Sequence, residues 1–375
     1  LLHPLYTVVT VVRFLHTADL QLGMTRRFLT PEAQSRFSHA RIEAVRALGD
    51  LARAHACEFA VVAGDVFESN HVDRQVLQRA MEALAAVPVP VYLLPGNHDP
   101  LDAATLYRAA TPPNVTVLGA AGPHVVRPGV ELVAAPWTSK RPLSDLLGAV
   151  CRDLSPPPAG TVRIAVGHGA VDTESPDRDN PALISRAALE QALADGLVHY
   201  VALGDRHSTT SVGSTGRVWY SGAPEATDFD ELDPGNILVV DLAEDSVEVV
   251  PHRVGRWRFV RRTVDVDTGE DVEALAGWLS TLPDKPETIV RVHLTGAVGL
   301  AARARLDAVL DDASPSFAAL DVWGDVLAVP DDADLSDLGL TGFARRAVEE
   351  LEASDDEDAR AALSLLYRLA RGTAA

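Results

Sequence analysis

Two cysteines, Cys57 and Cys151, are all the thiol that 375 residues carry. They stand 94 positions apart, with no Cys-x-x-Cys and no histidine pattern around either. A disulfide framework and a thiolate metal site are both excluded, and the composition fits a reducing cytoplasm, where we expect the protein to act. Long hydrophobic runs are also missing. None approaches the roughly 18 apolar residues of a spanning helix, which argues against a membrane protein. Positive charge is scarce: 33 basic side chains face 53 acidic ones, for a net charge of −20. Residues 263–375 hold 9 of the basic and 23 of the acidic groups, so that third carries most of the negative field, densest at 349–358. Such a chain will not coat nucleic acid through its overall field, and any attraction to DNA must be local. Internal repeats are absent, and the only biased tracts are the acidic run and the turn Ser155–Pro158.

What remains is a chain that is 47 % hydrophobic and long enough for two or three domains. Residues 1–11 read as a short extension: no basic segment precedes their apolar run and no small-residue cleavage site follows it. From 12 to 255, strand-like runs at 12–16, 59–63, 89–94, 132–135, 162–166 and 200–203 alternate with helical stretches such as 32–55 and 72–87. That alternation predicts an α/β architecture with helices covering sheets. Residues 256–335 read as a small α+β domain, with strands at 257–266, 288–294 and 317–326 and helices at 271–281 and 300–311. In 336–375 two helices are expected, one aligning Phe343, Ala347 and Leu351, the other Ala362, Leu366 and Leu369.

Five short motifs sit at the ends of these strands: Asp19-Leu20-Gln21, Gly64-Asp65, Gly96-Asn97-His98-Asp99, Gly167-His168 and Gly204-Asp205-Arg206-His207. Singly, each has an ordinary structural explanation, since Gly-Asp after a strand is usually a turn. Together they bring carboxylates, an amide and imidazoles to neighbouring strand ends, where burial is costly unless something pairs them. Two divalent cations would pair them, and oxygen and imidazole donors without thiolate suit Mn, Mg, Fe or Zn.

In this order the motifs resemble those of the calcineurin-like metallophosphoesterases. The flanking segments FLHTADLQLG, VVAGDVFES, VYLLPGNHDP, YVALGDRHS and VWYSGAPEATDFDE are similar to SbcD-type DNA repair exonucleases over about residues 12–255. The resemblance implies a β-sandwich flanked by helices (four layers, α/β/β/α), a small α+β capping domain and a helical tail. It implies a first metal held by Asp19 and His207, a second by Asn97 and His168, and Asp65 bridging both. His98 would stabilise or protonate the leaving oxygen, and Asp99 would orient His98. Two positions depart from the pattern: Gln21 and Asp205 stand where the family has histidines. By position Gln21 serves the first metal and Asp205 the second. Both exchange imidazole for oxygen, which moves the preference towards Mn or Mg, with Mn first among the candidates. The implied reaction is phosphodiester hydrolysis by in-line attack of water on a phosphate held by two cations.

For DNA contact the candidates are Arg26, Arg27 and Arg206, close to the motifs. The stretch 253–262, RVGRWRFVRR, mixes basic and aromatic residues, but its alternation reads as an ordinary strand with arginines outward. His16, just before the first motif, is a candidate support for the ligands. The expected function is a metal-dependent DNA phosphodiesterase of the SbcD type. By the resemblance it would be a homodimer working with an SMC-like (SbcC-type) ATPase, which the tail helices would meet unless they pack on their own domain. The alternatives are a phosphoesterase for nucleotides or cyclic nucleotides, and a DNA- or ATPase-binding scaffold impaired by Gln21 and Asp205.

Overall fold

A computed structural model describes residues 11–108, 111–328 and 342–354, together with 356, 358, 359, 362, 363 and 366. In chain order the first elements are β1 (Val11–Thr17), α1 (Pro31–His55), β2 (Phe59–Ala63), α2 (Arg74–Ala85), β3 (Val91–Leu94), β4 (Val115–Val117), β5 (Gly122–Arg127) and β6 (Val130–Ala134). Then come α3 (Leu146–Arg152), β7 (Val162–His168), α4 (Arg186–Ala194), β8 (Tyr200–Gly204), β9 (Thr210–Ser211), β10 (Val218–Tyr220), β11 (Asn236–Ala243) and β12 (Val247–Arg253). They form two six-stranded sheets, ordered β12-β11-β1-β2-β3-β4 and β5-β6-β7-β8-β10-β9.

The inner faces of the two sheets meet in one core. Phe14 and Phe59 stack at 5.2 Å, and Tyr200 of the second sheet meets Phe14 edge-on at 5.6 Å. Val12, Val61, Leu132, Ile164 and Val240 join the same cluster. The outer face of the first sheet packs on α1 and α2 through Leu15, Val62, Leu48 and Leu84, and that of the second on α3 and α4 through Ala165, Val201, Leu147 and Leu189. Four layers result, α/β/β/α, as the resemblance implies. Burying each large aliphatic or aromatic side chain favours this stacking by about 1.5–3 kcal/mol.

The local signals explain the longest helix. The Thr30 hydroxyl accepts the Ala33 N–H, Pro31 opens α1, and Glu32 occupies the first turn. Arg53 and His55 occupy the last turn, and Ala56 stops the helix at φ 51°.

Six of the expected strands are present within one or two residues. The hairpin β11–β12 is an addition: β11 runs antiparallel beside β1, pairing Phe14 with Val240. Sequence alternation of strands and helices carries no signal for such a return to the sheet edge. What matters for chemistry is polarity. The strands β1, β2, β3 and β4 are mutually parallel, as are β6, β7, β8 and β10, so the motif-bearing ends of β1, β2 and β3 share one edge of their sheet and those of β7 and β8 share one edge of theirs.

Residues 11–26 and 34–257 make one compact unit, and 27–33 with 258 onward the other. The second contains β13 (Arg258–Asp265), α5 (Gly269–Thr281), β14 (Thr288–Thr295), β15 (Ala297–Val298), α6 (Leu300–Ala313), β16 (Ala319–Gly324), β17 (Leu327–Ala328) and α7 (Phe343–Glu352). Its main sheet is parallel, ordered β13-β14-β16, with α5 and α6 packed on it through Leu275, Val292 and Leu306. Trp257 is buried edge-on against Phe37 at 4.9 Å and Phe259 is half-buried on β13, so the stretch RVGRWRFVRR ends in an ordinary strand.

The tail differs from expectation. On α7 it is Val348 that is buried, with Leu351 beside it, against Leu300, Ala304 and Ala328, whereas Phe343 is 88 % exposed. Of the second tail helix, Leu363 and Leu366 join that cluster, and Leu369 lies outside the described residues. No helix among the described residues is long and apolar enough to cross a membrane.

Candidate active site

Four of the motif residues adopt backbone that side chains disfavour: Asp19 (φ 52°), Gln21 (φ 43°), Asp65 (φ 51°) and Asp205 (φ 97°). Left-handed backbone at a non-glycine residue costs about 1–2 kcal/mol and persists where the surroundings impose it. Cross-links between the loops do so here: Asp19 N–H donates to Gly64 O and Gln21 N–H to Asp65 O, both at 3.0 Å. Asp19 accepts the Asp205 N–H at 3.1–3.2 Å. Small residues are demanded at two positions. A Cβ on Gly64 would lie 2.0 Å from His168 Nδ1, and one on Gly96 2.2 Å from Asp65 Oδ1.

Asp19, Asp65 and His168 are buried, and each offers a ligand atom within 4.8 Å of the others'. His168 Nδ1–H donates to the Ala63 carbonyl at 2.9 Å. Its Nε2 faces Asn97 Oδ1 at 2.7 Å, Asp65 Oδ2 at 3.4 Å and Asp205 Oδ1 at 3.9 Å. Three oxygens thus face one ring nitrogen, an arrangement that favours a positive charge among them. Burial pushes His168 down, but Asp65, Asp19 and Asp205 together outweigh it, and the imidazole ends well above its ordinary value. For Asp65, burial pushes up, but His168 and His98 together pull down further, leaving it below the usual carboxylate range. Burial raises Asp205, and lifts Asp19 to about 6 against the pull of His207. A divalent cation fits this donor set of Asp65, Asn97, His168 and Asp205.

The other half is built around His207. Its Nδ1 lies 2.9 Å from Glu231 Oε1 and 2.7 Å from Thr227 Oγ1. Donation of Nδ1–H to Glu231 turns the Nε2 lone pair towards Asp19 Oδ1, 3.8 Å away, and towards Gln21 Nε2, 3.1 Å away. Burial lowers His207, but Glu231 and Asp19 raise it above its ordinary value overall. Gln21 Oε1 is buried with no hydrogen-bond partner. A cation between Asp19, Gln21 and His207 would satisfy it once the amide is turned over, exchanging Oε1 and Nε2. Glu231 was not among the residues singled out, although DFDE belonged to the segments carrying the resemblance; its role depends on a loop contact, not a spacing.

His98 projects from the loop after β3 with its side chain 37 % exposed. Its Nδ1–H donates to the Glu68 carbonyl at 2.9 Å, which leaves Nε2, 3.9 Å from Asp65 Oδ2, facing the carboxylates. An imidazole so fixed can carry a proton on Nε2 and give it to a leaving oxygen. The expectation that Asp99 orients this ring is corrected. Asp99 accepts from Gly96 N–H (2.8 Å), Phe67 N–H (3.0 Å) and the Tyr107 hydroxyl (2.6 Å), so it braces the loop backbone, and the Glu68 carbonyl orients His98.

The three arginines named for DNA contact differ in their surroundings. Arg26 spends its guanidinium on the Thr227 carbonyl, with Nε at 3.1 Å, and lies 3.8 Å from Asp228. Arg206 pairs with Glu174 at 3.0 Å, and Arg27 is exposed. His16 is a core histidine, meeting the Tyr200 hydroxyl at 3.0 Å and the Leu203 carbonyl at 3.2 Å. Beside the site, Trp137 donates its indole N–H to the His168 carbonyl at 2.7 Å and meets that ring edge-on at 6.0 Å. Trp137 also lines a cavity of about 520 Å³ with Lys140, Arg141, Asp177 and Asn180, which none of the candidate ligands lines.

Buried carboxylates, an amide and two imidazoles at the adjoining strand ends of a two-sheet sandwich define a hydrolase-type metal centre. The chain belongs to the calcineurin-like phosphoesterase family, whose description matches residues 12–240. Among solved structures it is similar to a dimetal phosphatase from Danio rerio, at 13% identity and a TM-score of 0.39, over 64% of this chain and 98% of that one. No curated protein sequence matches the chain.

Proposed function

We propose that the protein is a two-cation phosphodiesterase acting on DNA. The observation that carries the hydrolytic reading is the convergence of Asp19, Asp65 and His168 within 4.8 Å, beside a buried, unpartnered Gln21 oxygen. Asp19, Gln21, Asp65 and His207 would hold the first cation, and Asp65, Asn97, His168 and Asp205 the second. Bound there, the cations would polarise the phosphate and make water acidic enough to attack near neutral pH. The chain's own part is to keep Asp65 shared between both sites, to hold each imidazole with Nδ1–H committed to Ala63 or Glu231, and to present His98 Nε2 to the leaving oxygen.

The choice of DNA rests on the SbcD-like flanks and on the second α+β unit. With it go the implied partners, a second copy and an SMC-like ATPase, a manganese preference and a cytoplasmic location. The test is degradation of end-labelled linear DNA with added Mn, wild type beside His98→Ala. Degradation by the wild type alone supports the reading and gives polarity; equal degradation by both removes His98 from the chemistry.

One observation favours a smaller substrate. Arg26 and Arg206 are engaged with Thr227 and Glu174, and the cavity beside Trp137, about 520 Å³, has the capacity for a nucleotide. Comparing a nitrophenyl phosphodiester, the matching monoester and linear DNA separates the two: hydrolysis of small esters with DNA untouched selects the nucleotide phosphoesterase.

A further inference from the structure

Arg41 lies in the middle of α1, remote in sequence from every motif, and is only 2 % exposed. Its guanidinium donates to the Leu20 carbonyl at 3.2 Å and to the Ala226 carbonyl at 3.1 Å, with the Met24 sulfur at 3.3 Å. The cation lies over the Phe37 ring at 4.6 Å. Burial draws it down to about 10, against the pull of Glu225 and Glu231, so it stays charged at neutral pH. Its Nε has no partner. If packing were its only role, an apolar side chain would fill the place without the cost of burying a charge.

The two carbonyls it joins are informative. Leu20 is the residue between Asp19 and Gln21, whose φ values of 52° and 43° the chain does not adopt on its own. Ala226 immediately precedes Thr227, whose hydroxyl meets His207 and whose N–H donates to Glu231 at 2.9 Å. Arg26 grips the next carbonyl, that of Thr227. One planar fork therefore ties the backbone of Asp19 and Gln21 to the backbone that aims His207.

We propose that Arg41 is a positioning residue for the first cation site: it fixes the spacing between the Asp19–Gln21 loop and the His207-orienting loop, so that three ligands from separate elements meet one cation. The proposal rests on the two-cation reading above. Geometry makes the role specific to arginine, because two separate nitrogens of one rigid plane meet the two carbonyls, a spacing that the single nitrogen of a lysine does not reproduce.

The test is Mn titration of the full chain, following the spin-coupled Mn pair by electron paramagnetic resonance and binding by equilibrium dialysis. His207→Ala and Asn97→Ala assign the binding steps to the first and second sites. Arg41→Lys and Arg41→Met are each expected to weaken the first step about 10–100-fold, the usual effect of losing a ligand's support, with the second step unchanged. The coupled-pair signal then appears only at correspondingly higher Mn. Leu48→Ala, on the same helix and fully buried, is the control for lost stability: it should lower the melting temperature and leave both steps in place. Wild-type affinity at the first step in Arg41→Lys overturns the proposal. So does weakening of both steps together to the extent that Leu48→Ala produces. A wild type that forms no coupled pair overturns the two-cation reading itself, and that failure shows before any Arg41 variant is compared.

Discussion

Tyr107 donates its hydroxyl hydrogen to Asp99 at 2.6 Å, in the interior and beneath the loop that carries Asn97 and His98. Burial and Asp99 keep the phenol neutral, raised well above its ordinary value, so it remains a donor at every working pH. Tyr107→Phe keeps the ring against Phe67 but leaves a buried carboxylate one donor short. The expected cost is about 1.5–3 kcal/mol of stability, the range for bonds to charged groups. Denaturant unfolding of the variant beside wild type measures it. Activity should fall as well, since Asp99 also holds the Gly96 N–H.

Gln21→His restores an imidazole where the amide now leaves a buried oxygen without a partner. A neutral imidazole is a better ligand for borderline cations than an amide. First-site affinity should rise about tenfold or more, with a shift from Mn towards Zn. Competitive titration of the two metals against wild type checks both.

His16 gives the pH dependence of stability. Burial holds its imidazole down to about 3 in the folded chain, against an ordinary 6.5. Below pH 6.5 the unfolded chain takes up the proton first, so stability is complete above that value and is lost as pH falls towards 3. Each pH unit in that window costs about 1.4 kcal/mol. His16→Leu does not titrate, so between pH 7.5 and 5.5 it should gain about that amount relative to wild type in denaturant unfolding. Parallel loss in both proteins would place the acid sensitivity elsewhere.

Much of the centre was legible in the sequence because its ligands follow strands directly. Strand polarity brings Asp19, Asp65 and His168 together, and the order of apolar runs and motifs encodes that polarity. What was not legible depends on loops crossing between elements. Glu231 reaches His207 from 24 residues away, and Arg41 reaches Ala226 from 185. Asp99 was assigned to its sequence neighbour His98, yet its oxygens are filled by Gly96, Phe67 and Tyr107. Arg26 reads in the sequence as a DNA-contact candidate, but its guanidinium meets a carbonyl 201 residues away. Spacing identifies residues that share an element; it does not say which carbonyl a long side chain will find.

The central claim is that the adjoining strand ends hold two cations through a shared Asp65. Counting bound Mn per chain by equilibrium dialysis at saturating metal, for wild type and Asp65→Ala, tests it most directly. The account predicts two Mn in the wild type and fewer than one in the variant, because removing the shared carboxylate weakens both sites at once. One Mn or none in the wild type, or two retained in Asp65→Ala, would contradict it.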